Sequence, residues 1–161
     1  RSYLQSQTVD LHKNNIRFRV IGDRDGLDQD IRQLIDQVEN LTSGNTGLSL
    51  TLALNYGGRH DIVQAAAKMA AHMKRENLPC DEQTAAELFP GFLMTSDIPD
   101  PDMIVRTSGE QRISNFLLWQ SAYSELIFLD VLWPDFSKRH LHSAIEDYMK
   151  RDRRFGAMKS V

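Results

Sequence analysis

Arg106, Arg112 and Ser114 lie close together in the segment Val105-Arg106-Thr107-Ser108-Gly109-Glu110-Gln111-Arg112-Ile113-Ser114-Asn115. Arg106 closes a short apolar run, Arg112 follows a glycine turn, and Ser114 precedes a stretch of helical character. Two guanidinium groups, several hydroxyls and the amides of a turn could converge there on a small volume. A diphosphate needs that set: charge compensation, fork-shaped donors and backbone N–H groups near a helix start. The same residues also suit an ordinary loop whose arginines pair with Glu110 or Asp102.

Other segments carry weaker signals. Asn55-Tyr56-Gly57-Gly58-Arg59 pairs two glycines, which allow positive φ and close backbone approach, or simply a tight turn into a helix. Asp61 could cap that helix or pair locally. Glu125 precedes an apolar run; a carboxylate there could hold Mg²⁺, a hard cation that takes few protein oxygens, or could be a salt-bridged surface group. Asp100-Pro101-Asp102 resembles the acidic pair of some nucleotide-sugar transferases, although such triplets are common in loops. His140 and His142 have no evident metal partner. Arg151-Asp152-Arg153-Arg154-Phe155-Gly156 suits a helix end compensated by cations and closed by glycine. Nucleophile-elbow, zinc-protease, Walker and dinucleotide fingerprints are absent.

The elements that must position these residues follow from periodicity. Ile16-Arg17-Phe18-Arg19-Val20-Ile21 alternates apolar and basic and predicts a strand that ends at Gly22-Asp23. From Leu27, apolar residues at 31, 34, 35, 38 and 41 predict a helix, stopped by Gly44-Asn45-Thr46-Gly47. Leu48, Leu50, Leu52 and Leu54 mark a second strand, whose leucines face either a packed core or a channel. A helix follows with Ile62, Ala66, Met69 and Met73 on one side, then a short helix over 82–89. Met103-Ile104-Val105-Arg106 and Leu126-Ile127-Phe128-Leu129 predict two more strands, with a helix over 115–123 between them. A last helix has Leu141, Ala144, Ile145 and Tyr148 inward. This alternation predicts an α/β fold, a mainly parallel central sheet flanked by helices, in a single domain over 1–161. Ligands of such sheets bind beyond the carboxyl ends of the strands, where Gly22-Asp23, 55–59 and 106–112 fall.

Composition sets outer bounds. The 161 residues are 41% hydrophobic and 25% charged, ordinary for a globular domain with a real core. A net charge of -3, from 19 basic and 22 acidic residues, argues against general nucleic-acid binding. The lone Cys80 excludes an internal disulfide and favours a cytoplasmic protein. No apolar run reaches membrane-spanning length.

The segment Val105-Arg106-Thr107-Ser108-Gly109-Glu110, continued by Phe116-Leu117-Leu118-Trp119-Gln120 and Ala122-Tyr123-Ser124-Glu125-Leu126, resembles the signature of cis-prenyltransferases of the undecaprenyl diphosphate synthase type. Leu132-Trp133-Pro134-Asp135-Phe136, Asn55-Tyr56-Gly57-Gly58-Arg59, Gly44-Asn45-Thr46-Gly47 and Ile21-Gly22-Asp23 fit the same family, in order along the whole chain. The resemblance implies a homodimer that uses Mg²⁺ to add isopentenyl diphosphate in cis to an allylic primer, farnesyl diphosphate. The implied product is undecaprenyl diphosphate, the lipid carrier of bacterial cell-wall sugars. It would partition to the membrane from an enzyme in the cytoplasm or peripheral to the inner membrane face. By resemblance, Arg106, Arg112 and Ser114 bind isopentenyl diphosphate, Glu125 is the metal-site glutamate, and Arg154 and Gly156 belong to an Arg-x-Gly element that reaches the partner's site.

Two departures stand out. Gln111 replaces the histidine of many bacterial members, and glutamine cannot titrate. The family's His-x-x-x-Met-Asp-Gly-Asn-Gly-Arg segment, with its essential aspartate, does not occur in these residues. The chain starts at Arg1, so it reads as the C-terminal two-thirds of the catalytic domain, and 1–161 alone is expected to be inactive. The alternative within the family is a non-catalytic partner subunit. Retention of Arg106, Arg112, Ser114 and Glu125 argues against it. A nucleotide-sugar transferase using Asp100 and Asp102 is the alternative outside it.

Overall fold

The computed structural model describes residues 2–151, with side chains from residue 8 onward. The chain divides after Asp97 into two compact units.

The first unit opens with helix α1 (Ser2–Lys13), followed by strand β1 (Arg17–Ile21), helix α2 (Gln29–Thr42), strand β2 (Ser49–Ala53), helix α3 (Gly58–Arg75) and the short helix α4 (Glu82–Leu88). β1 and β2 pair in parallel, with Phe18 opposite Leu50 and Ile21 opposite Ala53. Apolar spacing places Ile35 and Val38 of α2 against Phe18 and Val20 of β1, and all four are buried. Leu52 and Leu54 pack on the same cluster. Leu48 and Leu50 are exposed, so the leucine alternation of β2 is only half used for this core. A second cluster joins Ala65 of α3 to Phe89 and Leu93, around the 3₁₀ turn Phe89–Phe92.

β1 has no second strand neighbour among the described residues, and side chains take that edge instead. The Phe18 N–H donates to the Thr42 hydroxyl at 3.1 Å, and the Val20 N–H donates to Glu39 at 2.8 Å. Arg24 closes the arrangement by donating to the Val20 carbonyl and to Glu39. Side-chain partners of this kind blunt an otherwise open strand edge. On the same strand, Arg19 bonds Asp97 and holds its carboxyl below the ordinary carboxylate range.

Asparagine ends two helices. Asn15 and Asn77 take left-handed φ of 56° and 52° just past α1 and α3. In each case the next residue reaches back five positions, Ile16 to the Leu11 carbonyl and Leu78 to the Met73 carbonyl. This is the closure that glycine usually makes, and asparagine tolerates it best among the other residues.

The second unit holds strands β3 (Met103–Arg106) and β4 (Glu125–Phe128) and helix α5 (Lys138–Met149). β3 and β4 are parallel, with Met103 opposite Glu125 and Arg106 opposite Phe128. Ile127 and Ala144 are buried, while Leu141 and Ile145 of α5, expected inward, remain exposed. The connection from β3 to β4 differs from expectation. Instead of a helix over 115–123 it is a chain of turns. Ser114, Asn115 and Leu117 all have positive φ, which a right-handed helix cannot contain. The strands are thus parallel, as expected, and form a two-stranded sheet in each unit. No helix among the described residues is long and apolar enough to cross a membrane.

Candidate functional site

β3 delivers Arg106 to its carboxyl end, and backbone bonds tie that end to β4: Leu129 N–H to the Arg106 carbonyl, and Gly109 N–H to the Leu129 carbonyl. Ser108 and Gly109 both take left-handed φ, so the chain turns back on itself at once. Arg106 then organises the returning loop. One guanidinium nitrogen donates to the Ser114 hydroxyl at 2.9 Å and to the Arg112 carbonyl. Arg112 itself is 63% exposed and paired with Glu110. That pairing is the local salt bridge the loop reading allowed, and its exposure makes it cheap to exchange for another anion.

These residues border an open hollow of about 300 Å³. Arg106, Arg112 and Ser114 supply its polar wall, and Ile104, Ile113, Phe116 and Phe128 supply apolar surface. Such a site suits an anionic group joined to a hydrocarbon. The loop carries backbone strain, because Leu117 and Ser114 sit in left-handed conformations that side chains disfavour. Phe116 and Phe128 had given no sequence signal as site residues; only the fold of the loop onto the strands brings them here.

Glu125 lies elsewhere. It opens β4 opposite Met103, whereas Arg106 stands opposite Phe128. Three residues of strand separate the two rows, about 10 Å. The Glu125 carboxylate, 24% exposed, accepts from Arg151 at 2.6 Å. Asp100 and Asp102 are exposed at the same amino end of the sheet. Among the described residues, no three His, Cys, Asp or Glu side chains converge to hold a metal ion. Mg²⁺ takes only one or two carboxylates beside phosphate and water, so Glu125, here paired with Arg151, is a described carboxylate of the kind that would hold it once that pair is released. Arg154 and Gly156 lie outside the described residues.

The second candidate segment forms a more polar hollow of similar size, about 320 Å³, at the carboxyl ends of β1 and β2, lined by Asp23, Asn55, Tyr56, Gly57 and His60. The positive φ expected of its glycines falls instead on Asn55, at 49°, while Gly57 is extended at -147°. The Asn55 amide donates to the Asp23 carbonyl, which explains why asparagine can hold that conformation. Asp61 accepts from the Tyr56 hydroxyl and from the Met94 N–H.

Comparison with known proteins places the chain among prenyltransferases. Residues 1–156 match the prenyltransferase family model described as "Putative undecaprenyl diphosphate synthase". An isoprenyl transferase of Agrobacterium fabrum is 49% identical over 98% of this chain and 64% of its own length. A farnesyl-diphosphate-specific ditrans,polycis-undecaprenyl-diphosphate synthase of Coxiella burnetii is 49% identical over 95% of this chain and 64% of its own length. The chain thus spans less than two thirds of these curated relatives. Among solved structures, lavandulyl diphosphate synthase from Lavandula x intermedia, in complex with dimethylallyl diphosphate, superposes with a TM-score of 0.88. It is 39% identical, over 97% of this chain and 67% of the other. With a strand-end cation cluster, parallel sheets flanked by helices and a family match over nearly all of its length, the chain belongs to the undecaprenyl diphosphate synthase family of prenyltransferases.

Proposed function

We propose that the full-length protein is a cis-prenyltransferase that condenses isopentenyl diphosphate onto farnesyl diphosphate to make undecaprenyl diphosphate. The observation that carries this reading is the hollow at the end of β3, where two guanidinium groups and a hydroxyl adjoin apolar surface. Arg106 and Arg112 hold the diphosphate of isopentenyl diphosphate, with Ser114 as a further donor. The isoprenyl carbons lie against Ile104, Phe116 and Phe128. Fixing both ends of a small substrate aims its double bond at the allylic carbon, so rate comes from positioning. Arg112 exchanges Glu110 for the diphosphate, while Arg106 keeps the loop closed.

The family likeness supports the remaining parts of the proposal. They are a cytoplasmic homodimer with the 126–129 region near its two-fold interface, a product that enters the membrane, and dependence on Mg²⁺. A non-catalytic partner subunit would have no need of an intact cation cluster. A nucleotide-sugar transferase would use Asp100 and Asp102, but these stand at the amino end of β3, away from the end where ligands bind in such sheets.

The test is incorporation of radiolabelled isopentenyl diphosphate by the full-length protein with farnesyl diphosphate and Mg²⁺, followed by sizing of the product. No incorporation removes the reading. Glu125→Gln is assayed beside it. A magnesium titration shifted about tenfold or more, with folding retained, supports Glu125 as a metal ligand. A wild-type curve assigns Glu125 to the Arg151 ion pair alone.

A further inference from the structure

Glu125 and Arg151 form an ion pair to which the proposed chemistry gives no task. Glu125 opens β4, Arg151 stands just past α5, and one guanidinium nitrogen donates to the carboxylate at 2.6 Å. Among the described residues, no other side chain bonds to the Glu125 carboxylate.

The two partners are held very differently. The Glu125 N–H donates to the Asp102 carbonyl at 2.9 Å, and the neighbouring Ser124 hydroxyl donates to the Pro101 carbonyl. Pairing with Met103 continues that attachment into the sheet. The Glu125 side chain is only 24% exposed, and a charge so far removed from water needs a partner. Arg151 is 40% exposed and keeps water within reach of its charged end. Its backbone is tied only to the last turn of α5, through the Tyr148 carbonyl. The anion is thus the fixed member of the pair and the cation the movable one. A divalent cation at Glu125 would need the oxygens that Arg151 holds, and leaving the guanidinium in place would set like charges side by side.

We propose that Arg151 sets the affinity of Glu125 for divalent cations by competing with them for its carboxylate, so that removing the guanidinium tightens metal binding. This rests on the proposed reading of Glu125 as a Mg²⁺ ligand. If Arg151 only fastened the end of α5 to β4, its loss would loosen Glu125, and metal binding would weaken or stay the same. The sign of the change separates the two roles.

The test uses Mn²⁺, which takes the same oxygen ligands as Mg²⁺, and reads binding by the full-length protein from the free ion's electron paramagnetic resonance signal. Isopentenyl diphosphate is present, the allylic primer is omitted so that nothing turns over, and Mn²⁺ binding by the diphosphate itself is subtracted. Arg151→Gln should bind Mn²⁺ about threefold to tenfold more tightly than the wild type. Arg151→Lys keeps a positive charge and should tighten binding less. Added to Glu125→Gln, Arg151→Gln should produce no further tightening, because no carboxylate is left to contest. Thermal melts confirm folding, and Arg151→Met, which keeps an apolar stem, replaces the glutamine variant if that one fails to fold. Unchanged or weaker Mn²⁺ binding in folded Arg151→Gln, or equal tightening by Arg151→Lys, overturns the inference. If Glu125→Gln binds Mn²⁺ as the wild type does, the reading of Glu125 falls and the inference with it. If Glu125→Gln binds weakly while Arg151→Gln matches the wild type, the inference falls alone.

Discussion

Arg106→Ala in the full-length protein is expected to lower kcat/KM for isopentenyl diphosphate by about a hundredfold, while Arg112→Ala costs less. Arg106 is half-buried at the end of β3 and does two things at once. It carries charge into the hollow, and it holds the loop by bonding Ser114 and the Arg112 carbonyl. Hydrogen bonds to charged groups contribute about 1.5–3 kcal/mol each, and about 1.4 kcal/mol is a factor of ten. Losing a substrate contact and the loop's anchor together therefore reaches about two orders of magnitude. Arg112 is mostly exposed and already shared with Glu110, so its removal deletes a contact without unfastening the loop. Arg106→Lys keeps the charge but not the planar fork, and should fall between the wild type and Arg106→Ala. Steady-state kinetics, with thermal melts to confirm folding, decide the matter. An Arg112→Ala defect equal to or larger than that of Arg106→Ala would show that Arg106 is not the organising residue.

Gly22→Ala should have the largest effect on folding. Gly22 follows β1 directly at a φ of 121°, a region that side chains rarely enter. A Cβ there would lie 1.9 Å from the Leu54 carbonyl oxygen and 2.9 Å from its carbon. Backbone on the neighbouring strand cannot swing aside as a flexible side chain can. The substitution must either move β1 relative to β2 or rotate Gly22 out of its turn. Either route strains the bonds between Leu54 and Ile21 and between Asp23 and Asn55 that close the strand ends. Strain at such a position costs about 1–3 kcal/mol before any bond is lost, and whole domains are stable by only about 5–15 kcal/mol. The thermal midpoint should fall by about 10 °C or more, or the protein should be insoluble. A midpoint within about 2 °C of wild type would mean that the turn relaxes freely.

Local pattern made much of the fold legible. The alternation of Phe18 and Val20 marked the buried face of β1, and the spacing of Ile35 and Val38 marked the face of α2 that covers it. Both signals are periodic, and burial of one face is what periodicity records. Arg106 and Ser114 could also be paired from the sequence, because a strand end, a glycine turn and a return bring nearby residues together without any long-range contact. The turn chain after Ser114 was not legible. Leu117 favours a helix, and only the closure of the loop onto β3 and β4 forces it to φ 45°.

By itself, then, the sequence determined the element types outside the 115–123 connection, the parallel α/β class and the cation cluster, since each depends on neighbours within a few residues. Tertiary structure alone decided the placements that depend on register and on distant partners. Pairing Met103 with Glu125 put the candidate metal carboxylate at the end of the sheet opposite Arg106 and beside Arg151. Folding brought Thr42 and Glu39 to the edge of β1. It also drew Asp61 from a helix start to both Tyr56 and Met94. A strand's register and a buried carboxylate's partners are set by which surfaces meet, and no local spacing in the chain encodes that meeting.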